Sequence, residues 1–334
     1  MRIVALEEHY TVPSLVKRIP QDLIAKRGFP PPGAPFAPAS KTDELQDFGA
    51  ARLRSMDAGG VTMQVLSLAG PGADLLSPAD GPAWAREAND TLARRVAEHP
   101  DRYAGFAHLP LTAPEAAADE LERATKQIGF CGALVNGATG GRFLDDPQFE
   151  PVLARAEALG VPIYVHPGIP PKAVREAYYD GLPDPLSFVL SIAGWGWHAE
   201  VAVHILRLVL SGALDRHPGL KLIIGHMGEG LPAMMARFDQ ILGPSAAKTL
   251  QRGVSQTIVD QVWVSTSGMF TVPPFLALLE TFGADRIVFA VDYPFMANEG
   301  AHEFLDRLPV SLADQEKIAH GNADRLLGLS ARPG

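Results

Sequence analysis

One cysteine, Cys131, stands in the chain, so an internal disulfide is excluded and no set of thiolates is available for a structural zinc site. Its surroundings, GFCGALVNG, read as a strand, which makes it a small buried thiol rather than a nucleophile. No run of 18 apolar residues occurs, and the start MRIVALEEHY lacks the apolar stretch of a signal peptide. Basic clusters are missing too. The 29 Lys and Arg are outnumbered by 38 Asp and Glu, and a net charge of −9 without a basic patch speaks against nucleic acid as a partner. The expectation is a soluble cytoplasmic protein that binds neither membrane nor nucleic acid. With 47% hydrophobic residues over 334 positions there is material for a large core. Barrels of alternating strands and helices fill this length as one domain, expected here over 1–334.

Short apolar runs alternate with longer helical patterns. The strand candidates are RIVALEE (2–8), VTMQVLSL (61–68), YAGFAHL (103–109), GALVNG (132–137), PIYVH (162–166), LKLIIGH (220–226), QVWVSTS (261–267) and RIVFAVD (286–292). Most are continuously apolar, as parallel strands buried on both faces require. Helical patterns follow at 43–60, 81–100, 113–129, 146–160, 199–219, 230–242, 273–283 and 312–329, several of them closing on glycine. Eight strands each followed by a helix predict an α/β fold, a (β/α)₈ TIM barrel, with a doubly wound open sheet as the alternative. The segment GFPPPGAPFAPAS (28–40) is too rich in proline for a helix. It follows the first strand and so reads as a lid over the C-terminal mouth, an inert surface loop or an oligomer contact.

Active sites of such barrels stand at the C-terminal strand ends. Strand 1 ends in Glu7-Glu8-His9, strand 5 in His166, strand 6 in His226 and strand 8 in Asp292. Side chains alternate along a strand, so Glu7 and His9 share a face while Glu8 points towards the helices or a neighbouring loop. An unpaired carboxylate buried after an apolar strand costs several kcal/mol, roughly, so Glu7 and Asp292 need a partner. One cation satisfies both. Glu7, His9, His166 and Asp292 form a mixed nitrogen and oxygen ligand set suited to one Zn²⁺ or Mn²⁺ ion, with positions left for substrate. His226 and Glu229 lie three apart where a helix is expected to begin, so one turn would set Glu229 against the imidazole and fix its tautomer. His108 ends strand 3 and is a weaker candidate for the mouth. His99 and His217 read as surface, and His204 as core or interface.

ALEEH at 5–9, VPIYVHP at 161–167, LIIGHMGEGLP at 222–232, VDYPF at 291–295 and GNADRLLGL at 321–329 together resemble one branch of the amidohydrolase-related proteins. That branch includes γ-resorcylate, 5-carboxyvanillate and aminocarboxymuconate semialdehyde decarboxylases, and the resemblance runs nearly the whole length. It implies Glu7, His9, His166 and Asp292 as metal ligands, with Asp292, His226 and Glu229 as the catalytic residues. It also implies Trp197 and Phe295 against a substrate ring, and Arg237 holding a substrate carboxylate or supporting an interface. One departure is HPGIPP after the strand-5 histidine, where the resorcylate-type enzymes carry arginine and asparagine.

The implied activity is non-oxidative, reversible decarboxylation of an ortho-hydroxylated aromatic acid such as a dihydroxybenzoate, with no organic cofactor. The same ligands also suit metal-assisted hydrolysis, for example of a lactone, as an alternative. A homodimer or homotetramer is implied by the resemblance, with GWGW and the 28–40 segment as contact surfaces.

Overall fold

The computed structural model describes residues 1–30 and 41–329. Most of the proline-rich segment expected as a lid therefore lies outside the described residues. Among the described residues eight parallel strands form the centre: β1 (Val4–Tyr10), β2 (Met63–Leu68), β3, β4 (Ala133–Asn136), β5 (Ile163–His166), β6 (Leu222–Ile224), β7 (Val262–Ser265) and β8 (Ile287–Val288). Strand β3 comes in two pieces, Tyr103–Gly105 and Ala107–His108, that pair with β2 and β4 respectively. Phe106 at the break still donates its amide to Leu66 O at 2.9 Å. From β8 back to β1 the ring closes through Leu6 N to Phe289 O at 3.1 Å and His9 N to Tyr293 O at 2.7 Å. The TIM barrel expected from the sequence is the observed fold.

Two apolar layers follow from the period-two alternation of the strands. Val4, Leu6, Val65, Tyr164, Ile223 and Val288 fill the interior, whose base is closed by Leu326 and Leu327. Ile3, Ala5, Leu66, Ile163, Val165 and Ile224 face outwards to the helices. Strand β1 departs from strict alternation. Ala5 pairs with Gln64 but Glu8 pairs with Leu66, so three steps on β1 answer two on β2, which is a β-bulge. Val4 and Leu6 face inwards before the bulge, and Glu7 and His9 face inwards after it. Without the extra residue Glu8 would point at the barrel axis.

Several helices are broken where the sequence suggested one. The 43–60 pattern splits into Thr42–Gln46 and Ala50–Gly59, because Asp47 turns the chain and accepts from Gly49 N at 2.8 Å and Arg52 N at 2.8 Å. The stretch Leu186–Leu210 is long and apolar enough to cross a membrane by length and composition alone. It is not one rod. Ile192 is non-helical, and Gly196–Leu210 begins a new helix whose Glu200, Val201, His204, Ile205 and Leu208 are buried in the protein.

Candidate active site

Four strand ends converge above the barrel interior. Glu7 Oε1 lies 3.4 Å from His166 Nε2 and 3.7 Å from His226 Nε2. His9 Nε2 lies 3.1 Å from Asp292 Oδ1, and His226 Nε2 lies 3.9 Å from Asp292 Oδ2. Donor atoms of Glu7, His9 and His166 all fall within 4.8 Å of one another, as do those of Glu7, His226 and Asp292. The proposed ligands Glu7, His9, His166 and Asp292 are thus brought together, with His226 beside them.

Glu7, His9 and His166 are each engaged from behind by a group outside the set. Tyr164, two residues before His166 and on the same face of β5, donates its hydroxyl to Glu7 Oε2 and takes a bond from Ser265 Oγ at 2.8 Å. Gly225 leaves room for this arrangement, since a Cβ there would lie 2.6 Å from Glu7 Oε2. His166 donates from Nδ1 to Pro167 O at 2.8 Å, which leaves the Nε2 lone pair facing inwards. His9 Nδ1 sits 3.3 Å from Ser67 Oγ. Glu7 Oε1 and His9 Nε2 are buried and make no well-directed hydrogen bond, their near neighbours being other members of the set. Two such polar atoms, one anionic, beside a second carboxylate make a fitting nest for a divalent cation.

The electrostatics agree. Burial pushes the Glu7 carboxyl up, with His226 opposing and Asp292 adding to the rise. Asp292 is buried as well, yet the His226 and His9 imidazoles beside it outweigh burial and hold it at about 2. Burial also drives His166 down to about 3, so the imidazole is neutral and able to ligate at ordinary pH.

His226 and Glu229 do meet, but not through a turn of helix. His226, Met227 and Glu229 have φ of 50°, 56° and 57°, so the chain after β6 winds through left-handed conformations. That tight turn brings His226 Nδ1 to 2.8 Å from Glu229 Oε1. Burial resists charge on His226, but Glu229 and Glu7 override it and raise its pKa well above the usual value. Glu229 also takes His198 Nδ1 on its other oxygen, so one carboxylate bridges two imidazoles. His198 carried no signal of its own in GWGWHAE: the partner that reveals its position is 31 residues away. Tyr164 was legible in principle, by its period-two relation to His166.

A cavity of about 470 Å³ opens over this centre, lined by His9, His166 and Asp292 at the floor and by Phe29, Trp197 and Phe295 on its walls. The ring of Phe295 lies 5.6 Å from that of His9, and Trp197 lies 6.5 Å from that of His166. Arg27, reaching over from the segment after β1, lines the cavity and donates to Ile169 O, occupying the space above Gly168 that a side chain there would need.

Arg237 is not brought to this cavity. It is exposed on the helix Met235–Ile241 and donates to Gln240 Oε1 at 3.2 Å. Met235 is the buried residue of that helix, and two helical steps turn Arg237 to the opposite side. Its expected grip on a substrate carboxylate finds no support within the chain. His108 is also accounted for structurally: it is buried, and its Nε2 accepts from Ala73 N at 2.9 Å. His217 is buried rather than on the surface, held between Glu150 at 2.7 Å and Glu157 at 2.9 Å.

The sequence profile of the amidohydrolase family matches residues 12–329. A γ-resorcylate decarboxylase of Rhodococcus jostii (strain RHA1) is 37% identical over 98% of both chains. A solved 2,6-dihydroxybenzoate decarboxylase in complex with 2,6-dihydroxybenzoate superposes with a TM-score of 0.85 at 36% identity, covering 98% of this chain and 99% of the other. The dihydroxybenzoic acid decarboxylase of Polaromonas sp. JS666, solved with manganese and 2-nitroresorcinol, gives a TM-score of 0.86 at 34% identity, covering 99% and 98%.

Proposed function

The chain belongs to the amidohydrolase family, and we propose that it is a metal-dependent decarboxylase acting without oxidation on an ortho-hydroxylated aromatic acid such as a dihydroxybenzoate. The observation that carries this reading is the pair of buried atoms, Glu7 Oε1 and His9 Nε2, that make no well-directed hydrogen bond and face the other candidate ligands on the floor of an aromatic-walled cavity.

Glu7, His9, His166 and Asp292 would hold the ion, Zn²⁺ or Mn²⁺, which when bound supplies Lewis-acid charge and a template for the carboxylate and the adjacent phenolic oxygen. Trp197 and Phe295 give flat apolar walls against which the ring lies. Asp292, ionised at rest, takes up a proton from the charged His226 imidazole and delivers it to the ring carbon that bears the carboxylate. The bond to the carboxylate then breaks, carbon dioxide leaves, and the bonding pair restores the aromatic ring. One proton is taken up for each CO₂ released. His226 Nε2, 3.9 Å from Asp292 Oδ2, is placed to return a proton to it and to steady the phenolic oxygen. Glu229, with His198 behind it, fixes the His226 ring. No step calls for an organic cofactor, and the reverse carboxylation follows the same path at high bicarbonate.

Association into a homodimer or homotetramer is part of the same reading. Val203 and Leu210 lie seven apart on the helix Gly196–Leu210 and are 46% and 39% exposed, and Trp195, which precedes that helix, is 55% exposed. That stripe suits a second copy of the chain. Action in the cytoplasm fits a small, soluble aromatic substrate.

The test is to incubate the metal-loaded protein with 2,6-dihydroxybenzoate, 2,3-dihydroxybenzoate, salicylate and 5-carboxyvanillate and to follow CO₂. Release from at least one is expected. Silence with all four while lactones open would replace decarboxylation by metal-assisted hydrolysis.

A further inference from the structure

We propose that Glu8 is a positioning residue, which sets the Asp292 carboxylate for its work by clamping the two peptide groups that flank it. The proposal rests on the reading of Asp292 as an ion ligand and proton carrier given above.

The bulge in β1 turns Glu8 to the outer side of the sheet, away from the ligands Glu7 and His9. There Glu8 is fully buried, and its oxygens meet the loop after β8. Val291 N donates to Oε1 at 2.8 Å and Tyr293 N donates to Oε2 at 3.1 Å. These two amides stand immediately before and after Asp292. Asp292 itself has a φ of 76°, a left-handed conformation that a residue with a side chain adopts only when its surroundings impose it. A carboxylate with one oxygen on each flanking amide is such an imposition.

The clamp is itself braced. Gln64 Nε2 donates to Glu8 Oε2 at 3.3 Å and to Asn298 Oδ1 at 3.2 Å, while Gln64 Oε1 accepts from Arg52 Nη1 at 3.2 Å. Arg52, also fully buried, uses Nη2 to hold His9 O at 2.6 Å. One network behind β1 therefore ties the backbone of His9 to the loop that carries Asp292. Strand β1 supplies two of the ligands from its inner face and fixes the ligand from the far end of the chain with its outer face. Ligand positions supported in this way are commonly worth roughly 10–100-fold in metal affinity or activity.

The chemistry of the clamp dictates the test. A carboxylate only accepts, and three N–H groups point at Glu8. Glu8→Gln keeps the size, but whichever way its amide turns, an NH₂ faces one of the donors. In the full-length protein we expect Glu8→Gln to remain folded, with kcat and Mn²⁺ affinity both lowered by roughly 10–100-fold and KM for the aromatic acid unchanged within about twofold. A structural role alone would lower the melting temperature and leave kcat and Mn²⁺ affinity of the folded protein intact. Mn²⁺ affinity in a double-mutant cycle with Asp292→Asn gives the sharper readout, because Glu8 acting through Asp292 makes the two losses non-additive. Near-normal kcat and affinity in Glu8→Gln, or losses that simply multiply in the double variant, would overturn the proposal. Should Glu8→Gln not fold, Glu8→Asp, too short to reach both amides, carries the same comparison. Full turnover by Asp292→Asn would instead sink the reading of Asp292 and leave the clamp a separate matter.

Discussion

His9 Nε2 and Asp292 Oδ1 stand 3.1 Å apart, one at the end of the first strand and the other just beyond the last. The contact closes the barrel at the same place where the site opens, so fold and site depend on the same juncture. Asp292→Asn keeps the shape and removes both the anionic ligand and the proton carrier. Turnover, followed as CO₂ release, is expected to fall by ~10³-fold or more, within the range of general acid–base contributions combined with lost ion binding. Activity near that of the parent would refute the role.

Tyr164→Phe removes the hydroxyl that engages Glu7 Oε2 and Ser265 Oγ. The freed oxygen lets Glu7 rotate away from the ion, and competition with a chelator should report Mn²⁺ affinity weaker by roughly 10–100-fold. Unchanged affinity would show that Glu7 is oriented without the tyrosine.

Acid stability tests the pairing of Glu229. Despite burial, His226 and His198 hold its carboxyl down at about 2 against an ordinary 4.5. A carboxyl depressed on folding stabilises the protein above the ordinary value, and this contribution is lost as pH falls from 4.5 towards about 2. The shift corresponds to stability on the order of 3 kcal/mol at neutral pH. Glu229→Gln should therefore melt earlier at pH 7 and show a flatter decline in melting temperature between pH 5 and 2. Parallel acid limbs for the two proteins would contradict the pairing.

Removal of the ion should abolish decarboxylation, and Zn²⁺ or Mn²⁺ should restore it. A ligand that binds only the folded form also stabilises it, by about 2.7 kcal/mol at a hundredfold excess over Kd. A rise in melting temperature with added Mn²⁺ is expected, and its loss in His166→Ala would tie the effect to this site.

Val203→Arg together with Leu210→Arg places two charges on the exposed stripe of the helix Gly196–Leu210. Light scattering should then report a smaller particle than for the parent. Equal masses would remove this face from consideration as the contact.

Much of the barrel was legible because its strands, buried on both faces, read as apolar runs, and a polar residue ending such a run stands out. Glu7, His9, His166, His226 and Asp292 stand out as candidates in that way, and the fold brings them together. What escaped depends on contacts between distant segments. Asp47 splits the 43–60 helix by capping it from within, and nothing local in DFGA announces this. The link between His226 and Glu229 was expected from helical spacing, whereas a left-handed turn makes it. His198 has no periodic relation to its partner Glu229. The β1 bulge likewise leaves no mark in VALEEHY, yet it decides that Glu8 faces outwards. Arg237, expected from resemblance to hold a substrate carboxylate or support an interface, is turned by its helix away from the cavity and to the surface.

The most direct measurement is a crystal structure of the manganese-loaded protein, with anomalous scattering to locate the ion. One peak between Glu7, His9, His166 and Asp292 is the expected result. A peak held instead by His198, His226 and Glu229, whose donor atoms also lie within 4.8 Å of one another, or no peak at the four strand ends, would contradict it.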